Sequence, residues 1–309
     1  MPMIKVESIT KSFDERIAVD HISFEANDQE ILVLLGTSGC GKTTTLKMIN
    51  RLIEADSGDI WIDGENIRDK PLEQLRMHIG FVMQHAGLFP HYTIRQNIAV
   101  VPELLKWNKK DIQKRTEELL HKLHLPEELL SRFPQELSGG QQQRVGIARA
   151  LIADTPILLM DEPFGALDNI TKADIHSEFK SLEELKNKTI ILVTHDVQEA
   201  FELGHRICLM DKGKIVQIGT PKEMLYRPEN DFVRNFFAEN RLLLEYKVAT
   251  LENIRPFLSE GQKPETGWNM TENLSVWDAL QKLSADHQNN DRYETLTMAF
   301  NQYRKMEIG

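Results

Sequence analysis

Residues 4–9 and 19–25 alternate apolar and polar side chains, the period-two pattern of half-exposed antiparallel strands. Four short runs, 31–35, 79–83, 157–160 and 189–193, are apolar almost without interruption. Such runs suit strands covered on both faces of a parallel sheet. Between the second and third of them lies a long polar stretch, about 94–153, with helical character and with Pro102, Pro126 and Pro134 as punctuation. Segments 206–210 and 214–218 flank Asp211-Lys212-Gly213, a hairpin signal, and two short helices are predicted after Pro221 and Pro228. From about residue 241 the strong pattern ends, leaving a tail of roughly seventy residues, below the usual size of an independent domain. The pattern predicts an α/β fold: a mainly parallel sheet, an antiparallel β subdomain, an α-helical subdomain and a small C-terminal extension.

One segment changes this picture from architecture to chemistry. Gly36-Thr37-Ser38-Gly39-Cys40-Gly41-Lys42-Thr43 matches the P-loop pattern G-x-x-x-x-G-K-[ST], after an apolar strand and before a helix carrying Leu46 and Ile49. The glycines let successive backbone N–H groups point at phosphate oxygens, and the helix that follows, with Thr44 in its first turn, adds its positive dipole end. Lys42 is expected at the β/γ-phosphates and the Thr43 hydroxyl on Mg²⁺. A glycine turn with a stray lysine is a weak competitor, so the chain is expected to bind a nucleoside triphosphate.

Composition agrees with a soluble enzyme. The chain has 309 residues, 41% of them hydrophobic and 27% charged, with a net charge of −10. Nucleic-acid binders usually show a basic face, so nucleic acid is not expected as a partner. Cys40 and Cys208 are the sole cysteines, which points to a reducing compartment without a disulfide framework. Cys40 reads as a small loop filler rather than a nucleophile. The charged start Met1-Pro2-Met3-Ile4-Lys5-Val6-Glu7 does not read as a signal peptide, and no apolar run approaches bilayer length. A membrane role is therefore expected to come through a partner.

Two further sites carry chemistry. In Leu137-Ser138-Gly139-Gly140-Gln141-Gln142-Gln143-Arg144, Ser138 sits where an N-cap would, and two glycines leave the backbone bare. This is a second phosphate cradle, surplus in a chain with one P-loop unless two chains share sites. By itself, a capped helix without a ligand is an equal reading. Next, the run 157–160 sets Asp161 and Glu162 at the end of a buried strand. Asp161 is expected to hold Mg²⁺ and Glu162 to polarise an attacking water. A solvated turn is the bland reading of two such carboxylates. The run 189–193 delivers His195 past another strand end, where a lone histidine would more often be structural.

Taken together, these residues resemble the ATPase subunit of ABC transporters over about residues 4–238. The ordered set is Walker A at 36–43, a Q-loop glutamine at Gln84, LSGGQ at 137–141, Walker B ending at Asp161 and Glu162, a D-loop at Ala166-Leu167-Asp168, and an H-loop at His195. The resemblance implies a P-loop ABC ATPase core, with a nucleotide-binding domain over 1–240, its helical subdomain at about 94–153, and an extension over 241–309. It also implies a head-to-tail homodimer in which each P-loop faces Ser138-Gly139-Gly140 of a second copy, with Gln141 and Asp168 nearby. Gln84 would contact Mg²⁺ and water and sense a membrane permease. His195 would hold the γ-phosphate, and Phe13 takes the place of the aromatic that stacks on adenine, where the family often has Tyr.

The stretches 48–54 and 87–94 look like the ATPases of bacterial importers, and Val101-Pro102-Glu103-Leu104-Leu105-Lys106-Trp107 and Glu162-Pro163-Phe164-Gly165-Ala166-Leu167-Asp168 look particularly like the osmoprotectant subfamily that imports glycine betaine, carnitine or choline. An importer ATPase for another small solute, such as an amino acid, is the alternative, and a non-transport ABC ATPase is disfavoured by the single cassette without a coiled-coil insertion. The expected partners are permease subunits and, indirectly, a solute-binding protein, at the cytoplasmic face of the membrane. In the extension, 274–283 resembles the first helix of a CBS unit, but the valine-rich strands of such a unit are missing. At most one reduced unit fits, and helical packing or a dimer contact is preferred to sensing. The apolar residues Leu88, Phe89, Pro90 and Tyr92 either pack beneath the helical subdomain or line a groove for a permease helix.

Overall fold

The computed structural model describes residues 2–84, 86–165, 176, 179–180, 182–258, 273–284 and 290–308. It divides into two compact units, Met1–Val216 and Gln217–Gly309.

In the first unit, strands β1 (Ile4–Phe13), β2 (Arg16–Ala26), β4 (Ser57–Ile62) and β5 (Glu65–Asn66) form an antiparallel sheet in the order β2-β1-β4-β5. Ile4, Val6 and Ile9 of β1 and Val19, Ile22 and Phe24 of β2 are buried; the steps of three from Val6 to Ile9 and from Val19 to Ile22 break strict alternation at Ser8 and His21, both at positive φ, where the pairing of the two strands shifts register. The second sheet joins β3 (Ile31–Gly36), β6 (Ile79–Val82), β7 (Ile157–Asp161), β8 (Thr189–Thr194), β9 (Arg206–Asp211) and β10 (Lys214–Gly219) in the order β10-β9-β3-β8-β7-β6. From β9 to β6 every neighbouring pair is parallel. Every residue of β7 and β8 is buried, which is why these segments read as unbroken apolar runs. The turn between β9 and β10 uses Lys212 and Gly213, both at positive φ, the geometry of a tight two-residue hairpin.

Among the described residues this unit also carries helices α1 (Lys42–Ile49), α2 (Leu72–Met77), α3 (Ile94–Leu104), α4 (Lys109–Lys122), α5 (Gly139–Leu151), α6 (Glu183–Lys186) and α7 (Val197–Leu203). Helices α3 to α5 fall within the stretch expected as the helical subdomain, about 94–153. Thr93, Asn108 and Ser138 cap the starts of these three helices, each accepting a backbone N–H through its side chain. Pro102 lies inside α3 rather than ending it. Near the end of the helix it removes one i→i−4 hydrogen bond, and only two helical residues follow it. Fully buried Asn97 ties the preceding loop to α3. Its amide donates to the carbonyls of Phe89, Tyr92 and Thr93, and its Oδ1 accepts from the Phe89 N–H at 2.7 Å.

The second unit contains α8 (Pro221–Tyr226), α9 (Asp231–Phe236), α10 (Arg241–Val248), α11 (Leu251–Ile254), α12 (Val276–Ser284) and α13 (Asn290–Ile308). Pro221 opens α8 at a position where a missing N–H costs nothing. Among the described residues beyond 240 the regular elements are all helices, with one isolated bridge, Thr250 to Ser275. Leu251, Ile254, Val276, Leu280, Leu296 and Phe300 belong to one apolar cluster, and the Tyr246 ring stacks on Phe300 at 3.9 Å.

A charged joint fixes the last helix to this core. Glu245 is fully buried; it accepts from Arg241 Nε at 2.8 Å through one oxygen and from Arg304 through the other. Lys222 of α8 pairs with Glu307 of α13 at 2.5 Å. Removing the buried carboxylate leaves two guanidinium groups without their shared partner. We expect Glu245→Ala to lower unfolding stability by about 2–4 kcal/mol, the upper end limited because both arginines reach solvent. Urea unfolding followed by circular dichroism checks this; an unchanged midpoint would show that the joint contributes nothing.

Candidate active site

The parallel register decides which loops meet. Leu35 of β3 lies opposite Thr194 of β8, and Asp161 of β7 lies opposite Val193. The P-loop, Glu162 and His195 therefore leave three adjacent strands at one edge of the sheet, outside their carboxyl ends, where open α/β sheets bind ligands.

The P-loop is held by backbone packing. A β-carbon on Gly36 would stand 2.2 Å from the Met210 carbonyl oxygen, and one on Gly41 would stand 2.5 Å from that of Ala18. Gly41 also has φ 104°, a left-handed conformation that glycine alone adopts cheaply. Cys40 is buried beneath the loop, where burial pushes its thiol pKa up, and its carbonyl accepts from the Gly213 N–H at 3.2 Å. It is placed as a filler. Thr37, Ser38 and Gly39 are exposed at the loop's crest. No side chain caps α1, so its opening turn at Lys42, Thr43 and Thr44 presents backbone donors suited to an anion. Lys42 is buried, and its ammonium donates to the carbonyls of Gly36 at 2.8 Å and Thr37 at 2.9 Å.

The acidic pair diverges. The Thr43 hydroxyl donates to Asp161 Oδ1 at 2.8 Å. Glu162, at φ 46°, turns the other way: its Oε2 accepts from Gln84 Nε2 at 3.1 Å and lies 3.2 Å from His195 Nδ1. Three residues named from separate parts of the sequence thus meet at one carboxylate oxygen. Burial pushes the Asp161 carboxyl above its usual range, opposed mainly by the Thr43 hydrogen bond. A buried carboxylate beside a hydroxyl is a hard-oxygen pair short of positive charge. That suits Mg²⁺, which takes one or two protein oxygens and fills the rest of its shell with water and substrate phosphates. No cluster of three or more metal-ligating side chains stands among the described residues, so no all-protein cage competes with this pair.

The other expected residues fall into three groups. Phe13 ends β1 with its ring half exposed, and Lys11 Nζ stands 5.6 Å from the ring centre. Ser138 and Gln141 close a capping box at the start of α5, with Gly139 exposed and Gly140 half-buried beside them. Asp168 lies outside the described residues. Sequence reading passed over Arg16, whose guanidinium lies 3.8 Å from where a β-carbon on Gly39 would be. It also missed the support of His195. The Thr194 hydroxyl donates to buried Glu199 at 3.0 Å and accepts from the Asp196 N–H, while Asp196 caps α7. Asp196 followed three residues later by Glu199 is a helix-start signature that could have flagged this.

Comparison with known proteins gives the family. The ABC transporter family model matches residues 19–165. The glycine betaine/carnitine/choline transport ATP-binding protein of Bacillus subtilis is 51% identical over 242 residues, 78% of this chain and 64% of that protein. The glycine betaine uptake system ATP-binding protein of Escherichia coli is 45% identical over 278 residues, 90% of this chain and 89% of that protein. The chain belongs to the ABC transporter ATP-binding family. It spans less than two thirds of the Bacillus relative's length and most of the Escherichia relative's. Among solved structures, a dimeric ATP-binding cassette in a post-hydrolysis state bound to ADP and phosphate is similar, with a TM-score of 0.64 and 33% identity. That match covers 71% of this chain and 98% of the cassette.

The Asp161 environment yields a signed prediction. An acid whose folded pKa is raised above its unfolded value binds its proton more tightly when folded, so the ionised form weakens the fold as pH rises through that range. Asparagine removes the charge and keeps an acceptor for Thr43. We expect Asp161→Asn, without ligands at pH 7.5, to melt about 2 °C or more above the parent. Mg²⁺ with ATP should then no longer add the stabilisation it gives the parent. A lower melting point without ligands would contradict the burial argument.

Proposed function

We propose that this chain is the ATP-hydrolysing subunit of a membrane importer for small osmoprotectant solutes of the glycine betaine, carnitine and choline class. The observation that carries the hydrolysis is the meeting of Gln84 and His195 at Glu162 Oε2, one residue past the Asp161–Thr43 pair. The solute class is supported by the names of the relatives, which share the cassette rather than a solute site. An importer for another small solute is the second reading.

Lys42 and the opening turn of α1 bind the phosphates, and Phe13 stacks on the adenine. Thr43 and Asp161, with Gln84 through its side-chain oxygen, would hold Mg²⁺, which when bound would supply positive charge beside the phosphates. Glu162 takes the proton of the attacking water, and His195 and Gln84 hold its carboxylate in place. Ser138, Gly139, Gly140 and Gln141 of a second copy close the site head to tail, with Asp168 at the join, and exclude water. ATP then joins the two copies and hydrolysis parts them. No helix among the described residues is long and apolar enough to cross a membrane. In this reading permease subunits carry the contact with the bilayer, at its cytoplasmic face. Phe89 and Tyr92, 42% and 38% exposed and 5.4 Å apart between ring centres, offer those subunits an apolar patch.

Glu162→Gln should bind ATP, hydrolyse it about 10²–10⁴-fold more slowly and accumulate as an ATP-bound dimer in gel filtration. A monomer with Mg-ATP would contradict the shared site. In liposomes with the permease and binding protein, glycine betaine should stimulate ATP hydrolysis; stimulation by an amino acid alone would favour the second reading. Phe89→Ala should lose most of that stimulation while the isolated subunit's rate falls far less. Equal loss in both assays would mean that Phe89 is packing, not docking.

A further inference from the structure

Helix α5 carries a stripe at Gln143, Gly146 and Arg149, three residues apart and so on one face. This stripe meets the chain on both sides of Gln84, at Met83 before it and at Ala86 and Gly87 after it. Gln143 Nε2 donates to the Met83 carbonyl at 3.4 Å. Gly146 packs so closely that a β-carbon there would sit 3.4 Å from Cα, Cβ and O of Ala86. Arg149 donates through NH2 to the Ala86 carbonyl at 2.7 Å and through NH1 to the Gly87 carbonyl at 2.8 Å, and its guanidinium lies 6.0 Å from the Phe89 ring.

Two features show that this joint has been given a purpose. First, Ala86 and Gly87 both sit in the left-handed region, at φ 53° and 54°, and Ala86 is buried. A non-glycine residue there costs about 1 kcal/mol or more and persists where its surroundings hold it. Second, Arg149 spends its donors on carbonyls and an aromatic face, with no carboxylate within ion-pairing distance among the described residues. Burial lowers its pKa without an opposing partner. Planar forked donors can satisfy two successive carbonyls at once, whereas an ammonium is a point charge that cannot reproduce the fork.

We infer that Arg149 is a positioning residue for hydrolysis: it clamps the Ala86–Gly87 backbone to α5 so that Gln84, at Glu162, and Phe89, on the exposed patch, are held in fixed relation to the helix that begins at Ser138. The two ends of α5 thereby serve one machine, its start meeting the second copy's nucleotide and its face holding the loop that reaches the catalytic carboxylate. This rests on the proposed roles of Gln84 and Glu162.

The test uses the full chain with Arg149→Lys, which keeps the charge and loses the fork, and Arg149→Gln, which keeps one donor and loses the charge. Hydrogen exchange of the nucleotide-free proteins should show a peptide spanning 86–93 exchanging at least about tenfold faster in either variant, with the 139–151 peptide unchanged. ATP affinity should stay within about twofold and kcat fall about ten- to a hundredfold, the size expected of a misplaced catalytic group. In a Gln84→Ala background the Arg149 substitutions should add no further loss of kcat, because the clamp acts through that glutamine. Unchanged exchange at 86–93, or losses that multiply in the double variant, would overturn the inference. If Gln84→Ala alone left kcat intact, the role of Gln84 would fall instead, and the exchange result would still decide whether the clamp exists.

Discussion

The parallel pairing of β7, β8 and β3 is the constraint on which the site depends. It puts the ends of three strands side by side, so that residues 36–43, 162 and 195 leave the sheet as neighbours. Strand side chains alternate with period two, and a slip of one residue in β7 would exchange the directions of its last side chains. The register alone does not separate Asp161 from Glu162. Asp161 ends the extended strand, and Glu162 turns into the left-handed region at φ 46°. That single change of backbone sends one carboxylate to Thr43 and the next to Gln84 and His195. The strained conformation is retained because the Glu162 N–H still bonds to the Val193 carbonyl at 2.9 Å, continuing the sheet by one more link.

Local patterns made much of this legible. The apolar runs became β3, β6, β7 and β8, and the hairpin at Asp211-Lys212-Gly213 became β9 and β10, because burial on both faces and turn chemistry are written in neighbouring residues. The P-loop and Ser138 could be placed at helix starts for the same reason. What escaped was set by contacts between distant segments. Arg16 beside Gly39, Asn97 stitching the Phe89 loop, and Arg149 holding Ala86 follow no short-range spacing. The tail was read by its size and weak pattern. Yet its described part gathers an apolar cluster around Phe300 and a buried Glu245, residues contributed by helices separated in the chain. For the apolar loop after Gln84 two readings stood open, and Phe89 and Tyr92 lie at the surface rather than beneath the subdomain.

The electrostatics of the site run against those of the chain. A protein with net charge −10 gathers a buried ammonium, an uncapped helix start and a guanidinium at Arg16 around one loop, and sets two adjacent carboxylates against it. Without ligand, each side of this arrangement lacks something. Lys42 settles for backbone carbonyls, and Asp161 is raised by burial with a hydroxyl as its nearest relief. A polyanion accompanied by a divalent cation supplies both deficits at once, the phosphates to the lysine and the helix start, the cation to Asp161. The carboxylates are therefore kept close at some cost to the empty fold, as functional sites commonly are. The same reasoning explains why Glu162 is not left to repel the incoming phosphates freely. Gln84 donates to one of its oxygens and the His195 ring nitrogen lies 3.2 Å from the same atom, so that carboxylate is held by one directed hydrogen bond and a close imidazole from two other strand ends. Movement of either strand end or of the Gln84 segment would then alter the carboxylate's aim, and a loop clamped to α5 can pass a displacement from the protein's surface to that one oxygen.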